Sequence, residues 1–216
     1  MTWEIEESRS EEVANAILHG VGAASSIAGL AVLVHLAARE GDAWRVVATS
    51  VYGTSLVLLY LASTLYHALP WPGPKRVFEI LDHAAIYVLI AGTYTPFALV
   101  TLHGPWGWSI LGVVWGLAAA GVVVQVVFPG RLRGLMTGVY VAMGWLVIVA
   151  FRPLLASLSP TGLAWLAAGG VAYTAGVWFY ARKRFRFSHA VWHVFVLAGS
   201  AFHFVAILRH VVPIGA

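Results

Sequence analysis

The chain has no cysteine among its 216 residues. That excludes disulfides and thiolate metal sites together, while leaving the redox compartment open. Charge is also scarce: 10% of residues are Asp, Glu, Lys or Arg, against about 25% in soluble domains. Acidic residues are the scarcest class. None lies beyond Asp82, so residues 83–216 offer no carboxylate side chain to anything buried there. The first apolar run follows an acidic, polar segment, Met1 to Glu12, which lacks the positively charged start of a cleavable signal peptide. There is no internal repeat of fixed period and no low-complexity segment.

What fills the chain is apolar. Hydrophobic residues make up 60% of it, and its mean hydropathy is +0.83. A membrane span needs about 20 apolar residues, and seven such spans fit, at 14–38, 44–68, 77–101, 106–127, 134–151, 160–181 and 189–211. The expected fold is therefore all-α, a polytopic seven-transmembrane helix bundle over residues 14–211. A short polar segment (1–13) precedes it and a short tail (212–216) follows. Pro70-Trp71-Pro72-Gly73-Pro74-Lys75-Arg76 reads as a tight turn after the second span, because proline fixes φ and lacks a donor. Arg152-Pro153 to Pro160 reads as the loop after the fifth. Pro96 should kink the third span. Gly112, Gly116 and Ala120, and Gly134 with Gly138, recur at helical spacing and are expected to let helices pack closely.

Lys and Arg set the orientation. One side holds Arg9, Lys75, Arg76, Arg131, Arg133, Arg182, Lys183, Arg184 and Arg186; the other holds only Arg39, Arg45, Arg152 and Arg209. The positive-inside bias places the N-terminus in the cytoplasm and the C-terminus outside. The expected location is the cell membrane, in a bacterium the inner membrane. The net charge of +4 belongs to these loops and does not argue for nucleic acid. The run Arg182 to Arg186 reads first as a positive-inside loop and second as a contact for anionic lipid.

Ionisable residues inside apolar spans are costly, face the protein interior and mark function by default. Here they fall at one membrane level. Ser63 and His67 are four apart at the cytoplasmic end of span two. His189 and His193 are four apart at the start of span seven. Glu79 and Asp82 open span three, and Asn15 and His19 open span one. With no acid beyond Asp82, buried His189, His193 and His203 are expected to be neutral, the form that ligates a metal. Three imidazoles plus water or a carboxylate is the ligand set of a catalytic zinc site, which makes His67, His189 and His193 the candidate ligands. His203, ten residues beyond His193, would lie about 15 Å deeper and is read as a packing or cavity residue. His35, His83, His103 and His210 read as hydrogen-bonded packing residues. Asp82 can equally serve as a helix N-terminal charge, and Ser63 can bond backward along its own helix.

Several of these motifs resemble one family. Ser63-x-x-x-His67, Asp82 followed by Ala-Ala-Ile-Tyr-Val-Leu-Ile-Ala-Gly-Thr-Tyr-Thr-Pro (84–96), and His189-Ala-Val-Trp-His193 are similar to the haemolysin III family, the bacterial branch of the progestin and adipoQ receptor proteins. Asn15-Ala-Ile-Leu-His19-Gly20 looks like that branch's first-span signature. The likeness runs from about residue 12 to 210. It implies seven helices around a Zn2+ near the cytoplasmic side, held by His67, His189 and His193. It also implies Asp82 near the fourth position, acting through a water, with Ser63 beside the site. The adiponectin receptors of this group carry a longer N-terminal region, so a protein-hormone receptor is not expected here.

The resulting functional expectation is a zinc-dependent membrane hydrolase acting on a lipid amide or ester, ceramidase-like by family analogy. Asp82 and Ser63 would be its catalytic side chains, and a membrane lipid its substrate, entering laterally from the bilayer. The rival readings are a receptor or sensor with a structural zinc site and a membrane-damaging haemolysin. The polar residues gather at one face and do not line a path across, which speaks against a transporter.

Overall fold

The structure, a computed structural model, describes residues 8–181 and 186–213, and no β-strand occurs among them. Its first helix, α1 (Arg9–Arg39), starts earlier than the apolar run requires. Ser8 is its N-cap, and the Ser8 N–H donates to Glu11 Oε2 at 2.9 Å, the reach-back half of a capping box. Gly41, at φ 71°, makes the left-handed turn that Cβ-bearing residues resist. Asp42 then caps α2 (Ala43–Ala68), accepting from the Trp44 N–H at 2.9 Å and pairing with Arg45.

The proline-rich stretch behaves differently from the expected tight turn. Only Leu69 to Trp71 turns; α3 (Pro72–Pro96) begins at Pro72. Proline at the first helical position gives up a donor that has no intrahelical partner anyway, and its fixed φ suits the helix. Pro96 ends the regular α-helix, and a π-helical segment, Phe97–Leu102, follows directly. There the His103 N–H reaches back to the Ala98 carbonyl at 3.1 Å, the wider π spacing. Next comes α4 (Gly104–Val127).

The fifth span is broken into α5 (Arg133–Gly144), a 3-10 segment (Leu146–Ala150) and α6 (Phe151–Ser157). Arg152 and Pro153 thus lie in a first helical turn and not in the expected loop, which shrinks to Leu158 and Ser159. Freed backbone groups inside a membrane need partners, and Tyr94 of α3 provides them. Its hydroxyl lies 2.9 Å from both the Met143 and Gly144 carbonyls and accepts from the Val147 N–H at 2.8 Å. The last spans are α7 (Pro160–Ala181) and α8 (Ser188–His210). Of the basic run between them, Arg182, Lys183 and Arg184 lie outside the described residues.

Among the described residues, seven helices are long and apolar enough to cross a membrane, and their faces are distributed accordingly. Val13, Ile17 and Val21 of α1 are more than half exposed, while Asn15 and His19 on its other face are buried. Apolar outside and polar inside is the pattern of a bundle solvated by lipid, and the chain is a seven-helix membrane protein. α2 packs between α1 and α3, α7 packs on α8, and α8 returns to α1. The core of that arrangement holds three tyrosines around Ser200. Tyr60 and Tyr173 lie 2.7 Å from its hydroxyl and Tyr52 donates to its carbonyl at 3.3 Å.

The close helix approaches are made by other glycines than expected. Gly112, Gly116 and Ala120 face outward, because α4 buries Ile110, Val114, Ala118 and Gly121 instead. A Cβ on Gly112, Gly116, Gly134 or Gly138 would meet nothing within 4 Å. Gly22 and Gly199 are among the tight ones: a Cβ there would run into the rings of Tyr60 and Tyr173.

Candidate metal centre

The beginnings of α1, α3 and α8 and the end of α2 meet at one end of the bundle, through Glu11, Glu12, His67, Lys75 and Phe187. Helical spacing aims His67 inward from the last turn of α2, one turn beyond Ser63. It stacks His189 and His193 along one face of α8's first two turns. The structure brings these three together: one nitrogen from each of His67, His189 and His193 lies within 4.8 Å of the others. Their ring centroids are 5.0 Å (67–189), 5.1 Å (67–193) and 4.5 Å (189–193) apart. His67 and His193 are buried and His189 is half-buried.

Two of the trio, His189 and His193, line a cavity of about 140 Å³ together with His19, Ser63, Asp82 and His203 among others. Ser63 and Asp82 are both buried. Asp82 shares the cavity, yet it is not among the described groups whose ligand atoms close to within 4.8 Å. Four residues in this cavity hold buried atoms with no hydrogen-bond partner among the described residues: Ser63 at its hydroxyl, His193 at Nδ1, His203 at Nδ1 and His19 at both ring nitrogens. A second cavity, of about 420 Å³, shares Thr93, Tyr94, Gly144, Trp145, Gly170 and His203 with the first and runs on to Leu154, Pro160 and Leu163 at the far end of the bundle.

Of the remaining histidines, His35 is exposed on α1, not the expected packing residue, because its side of the helix faces away from the core. The His83 and His103 rings lie 2.7 Å and 3.0 Å from carbonyls of their own helical turns, Glu79 and Leu99. His210 meets the Ser159 hydroxyl at 2.9 Å. His203 sits deeper, lines both cavities, and places Nε2 3.1 Å from the Leu166 carbonyl.

With this geometry in view, comparison with known proteins settles the lineage. A family model described as haemolysin-III related matches residues 7–204. The chain belongs to the haemolysin III family. It is similar to Hemolysin-3 of Bacillus cereus, at 49% identity over 203 residues, which is 94% of this chain and 93% of that protein. It also resembles the human Monocyte to macrophage differentiation factor, 30% identical over 209 residues (93% and 84% of the two chains). A rice protein named Heptahelical transmembrane protein ADIPOR2 is 30% identical over 153 residues (61% and 66%). These reach from the haemolysin III branch to the adiponectin-receptor relatives, as the motifs implied.

Two site groups of this haemolysin III protein lie outside the motif-based ligand set. His19 stacks on His193, centroids 3.5 Å apart at 23°, and meets Tyr60 edge-on at 5.0 Å. Glu12 places Oε2 2.7 Å from His67 Nδ1 and takes Lys75 Nζ on Oε1 at 2.8 Å. The sequence does carry a signal for both. Glu12, Asn15 and His19 stand at i, i+3 and i+7, one helical face, and the lack of acids after Asp82 leaves the N-terminal segment as a remaining source of carboxylate. Spacing alone does not show that this face meets His67 and His193.

Proposed function

We propose that this protein is a zinc-dependent hydrolase of a lipid amide or ester, working at the cytoplasmic side of the cell membrane. The observation that carries the reading is the convergence of His67, His189 and His193, two of which, His189 and His193, line a cavity with Asp82 and Ser63. The residues suit the ion. Three imidazoles leave one coordination position open, as catalytic zinc sites do. A buried imidazole nitrogen without a partner costs about 1–3 kcal/mol, and a cation at the cluster relieves that cost at His193 Nδ1. When bound, zinc polarises a carbonyl oxygen and lowers the pKa of a bound water to about 7.

The side chains divide the rest of the work. Water adds to the carbonyl carbon, and the C–N or C–O bond then breaks. Asp82 accepts the proton that water loses and returns it to the departing amine or alcohol. The Ser63 hydroxyl donates to the carbonyl oxygen as negative charge develops on it. The second cavity, walled by Phe97, Leu102, Leu154 and Leu163, offers an alkyl chain a lipid-like environment continuous with the histidines. Orientation rests on the nine-to-four excess of Lys and Arg at the N-terminal end.

The test is turnover of a panel of lipid amides and esters by purified, zinc-loaded protein. Hydrolysis that disappears in Asp82→Asn, with zinc content unchanged, supports the reading. Zinc-loaded protein inert to the whole panel argues against it. One observation favours a second reading, a sensor with structural zinc: the ion would tie α2 to α8. His67→Ala separates the two. A structural site predicts loss of the folded bundle with the metal, whereas a catalytic site predicts a folded bundle without turnover.

A further inference from the structure

The first turn of α1 carries two consecutive carboxylates, and each reaches a different part of the histidine cluster. Glu12 Oε2 meets His67 Nδ1 at 2.7 Å. An ionised carboxylate only accepts, so Nδ1 carries the proton and donates, and Nε2 keeps the lone pair. Glu12 is itself held on its second oxygen by Lys75, which also donates to the Tyr66 carbonyl at 2.9 Å and lies 4.6 Å from the Tyr66 ring centre. Glu11 turns the other way. Its Oε1 accepts from the Phe187 N–H at 2.7 Å, and its Oε2 accepts from the Ser8 N–H at 2.9 Å. Phe187 is the N-cap of α8, two residues before His189, and stands at φ 61°, a left-handed conformation costly for a residue with a bulky Cβ.

We infer that this turn is the outer shell of the metal centre: Glu12 orients the His67 imidazole, and Glu11 fixes the backbone from which His189 and His193 project. The inference rests on the metal reading above. Metal-bound histidines commonly donate their second N–H to a carboxylate, which sets the tautomer and ring angle and raises ligand basicity. An ordinary surface ion pair contributes little and would not need a buried partner. Here the His67 side chain is fully buried and Glu12 is only 21% exposed, so the contact ends on a candidate ligand and not in solvent. Four helices carry the device, with α1 supplying the carboxylates, α2 and α8 the ligands, and the start of α3 the lysine.

The test is affinity for Co2+ and Zn2+, measured by chelator competition on detergent-purified full-length protein, with the visible Co2+ spectrum as a reporter of ligand geometry. Glu12→Ala should weaken binding about 10–100-fold and alter the Co2+ bands. Glu12→Gln, whose amide oxygen still accepts from Nδ1–H, should fall between wild type and the Ala variant. Glu11→Ala should also weaken binding. Wild-type affinity and an unchanged spectrum in folded Glu12→Ala would overturn the inference; if that variant does not fold, wild-type affinity in Glu12→Gln does so. Should wild type and His67→Ala both bind no metal, the metal reading fails. Should wild type bind, His67→Ala not, and Glu12→Ala match wild type, only the outer shell fails.

Discussion

At the scale of single residues, the N-terminal end of the bundle buries polar groups at a density a lipid-solvated protein can sustain only for a purpose. Ser63, His19 and His193 hold buried, unpartnered atoms on one cavity, and each such atom costs about 1–3 kcal/mol. Asp82 and Ser63 should therefore be separable by substitution. Asp82→Asn keeps shape but cannot take a proton, and is expected to cut turnover about 10²–10⁴-fold with bound zinc intact. Ser63→Ala removes a single donor and should lower kcat about 10²–10³-fold with little change in melting temperature. Lipid hydrolysis rates and metal content, read on the same preparations, check both. The histidine cluster is legible in the sequence because imidazoles four apart inside apolar runs must share one inward helical face, and because no acid follows Asp82. Glu12 is not legible as its neighbour. It lies ahead of the first apolar run, and its partner His67 is 55 positions away; nothing local states that α1 leans on the end of α2.

Elements show where periodicity informs and where it cannot. Spans of about 20 apolar residues and the charged or Gly-containing breaks place all seven crossings. Helix interiors disrupted by tertiary contacts leave no such mark. The fifth span looks continuous in sequence, yet it breaks after Gly144 because Tyr94, fifty residues earlier, accepts and donates where the ladder opens. Tyr94→Phe should leave that break unsatisfied and cost about 1–3 kcal/mol, seen as a lower melting temperature by near-UV circular dichroism; an unchanged melting temperature would show that the break needs no tyrosine. The outward glycines of α4 make the same point. Helical spacing identifies a stripe but not the side it faces, and neighbours such as Tyr87, Ala91 and Met143 decide which side of α4 is inside.

At the scale of the whole molecule, the seven-helix order fixes opposite ends for the two termini and leaves sidedness to charge. The chain's lack of cysteine makes that directly testable, because a single introduced thiol is the only one present. Trp71→Cys, at the N-terminal end of the bundle, should resist a membrane-impermeant maleimide in intact cells and react after lysis. Glu40→Cys, at the opposite end, should react in intact cells. The reverse pattern would invert the topology and move the histidines to the outer face. Metal should also stabilise the bundle by mass action, about 2.7 kcal/mol at a hundredfold excess over Kd, so chelation is expected to lower the melting temperature reversibly. The most direct measurement is elemental analysis of the purified protein beside its His193→Ala variant. The account predicts about one zinc per chain in the wild type and almost none in the variant, with helical content equal in both. A metal-free wild type, or a variant that keeps its full complement of zinc, would contradict it.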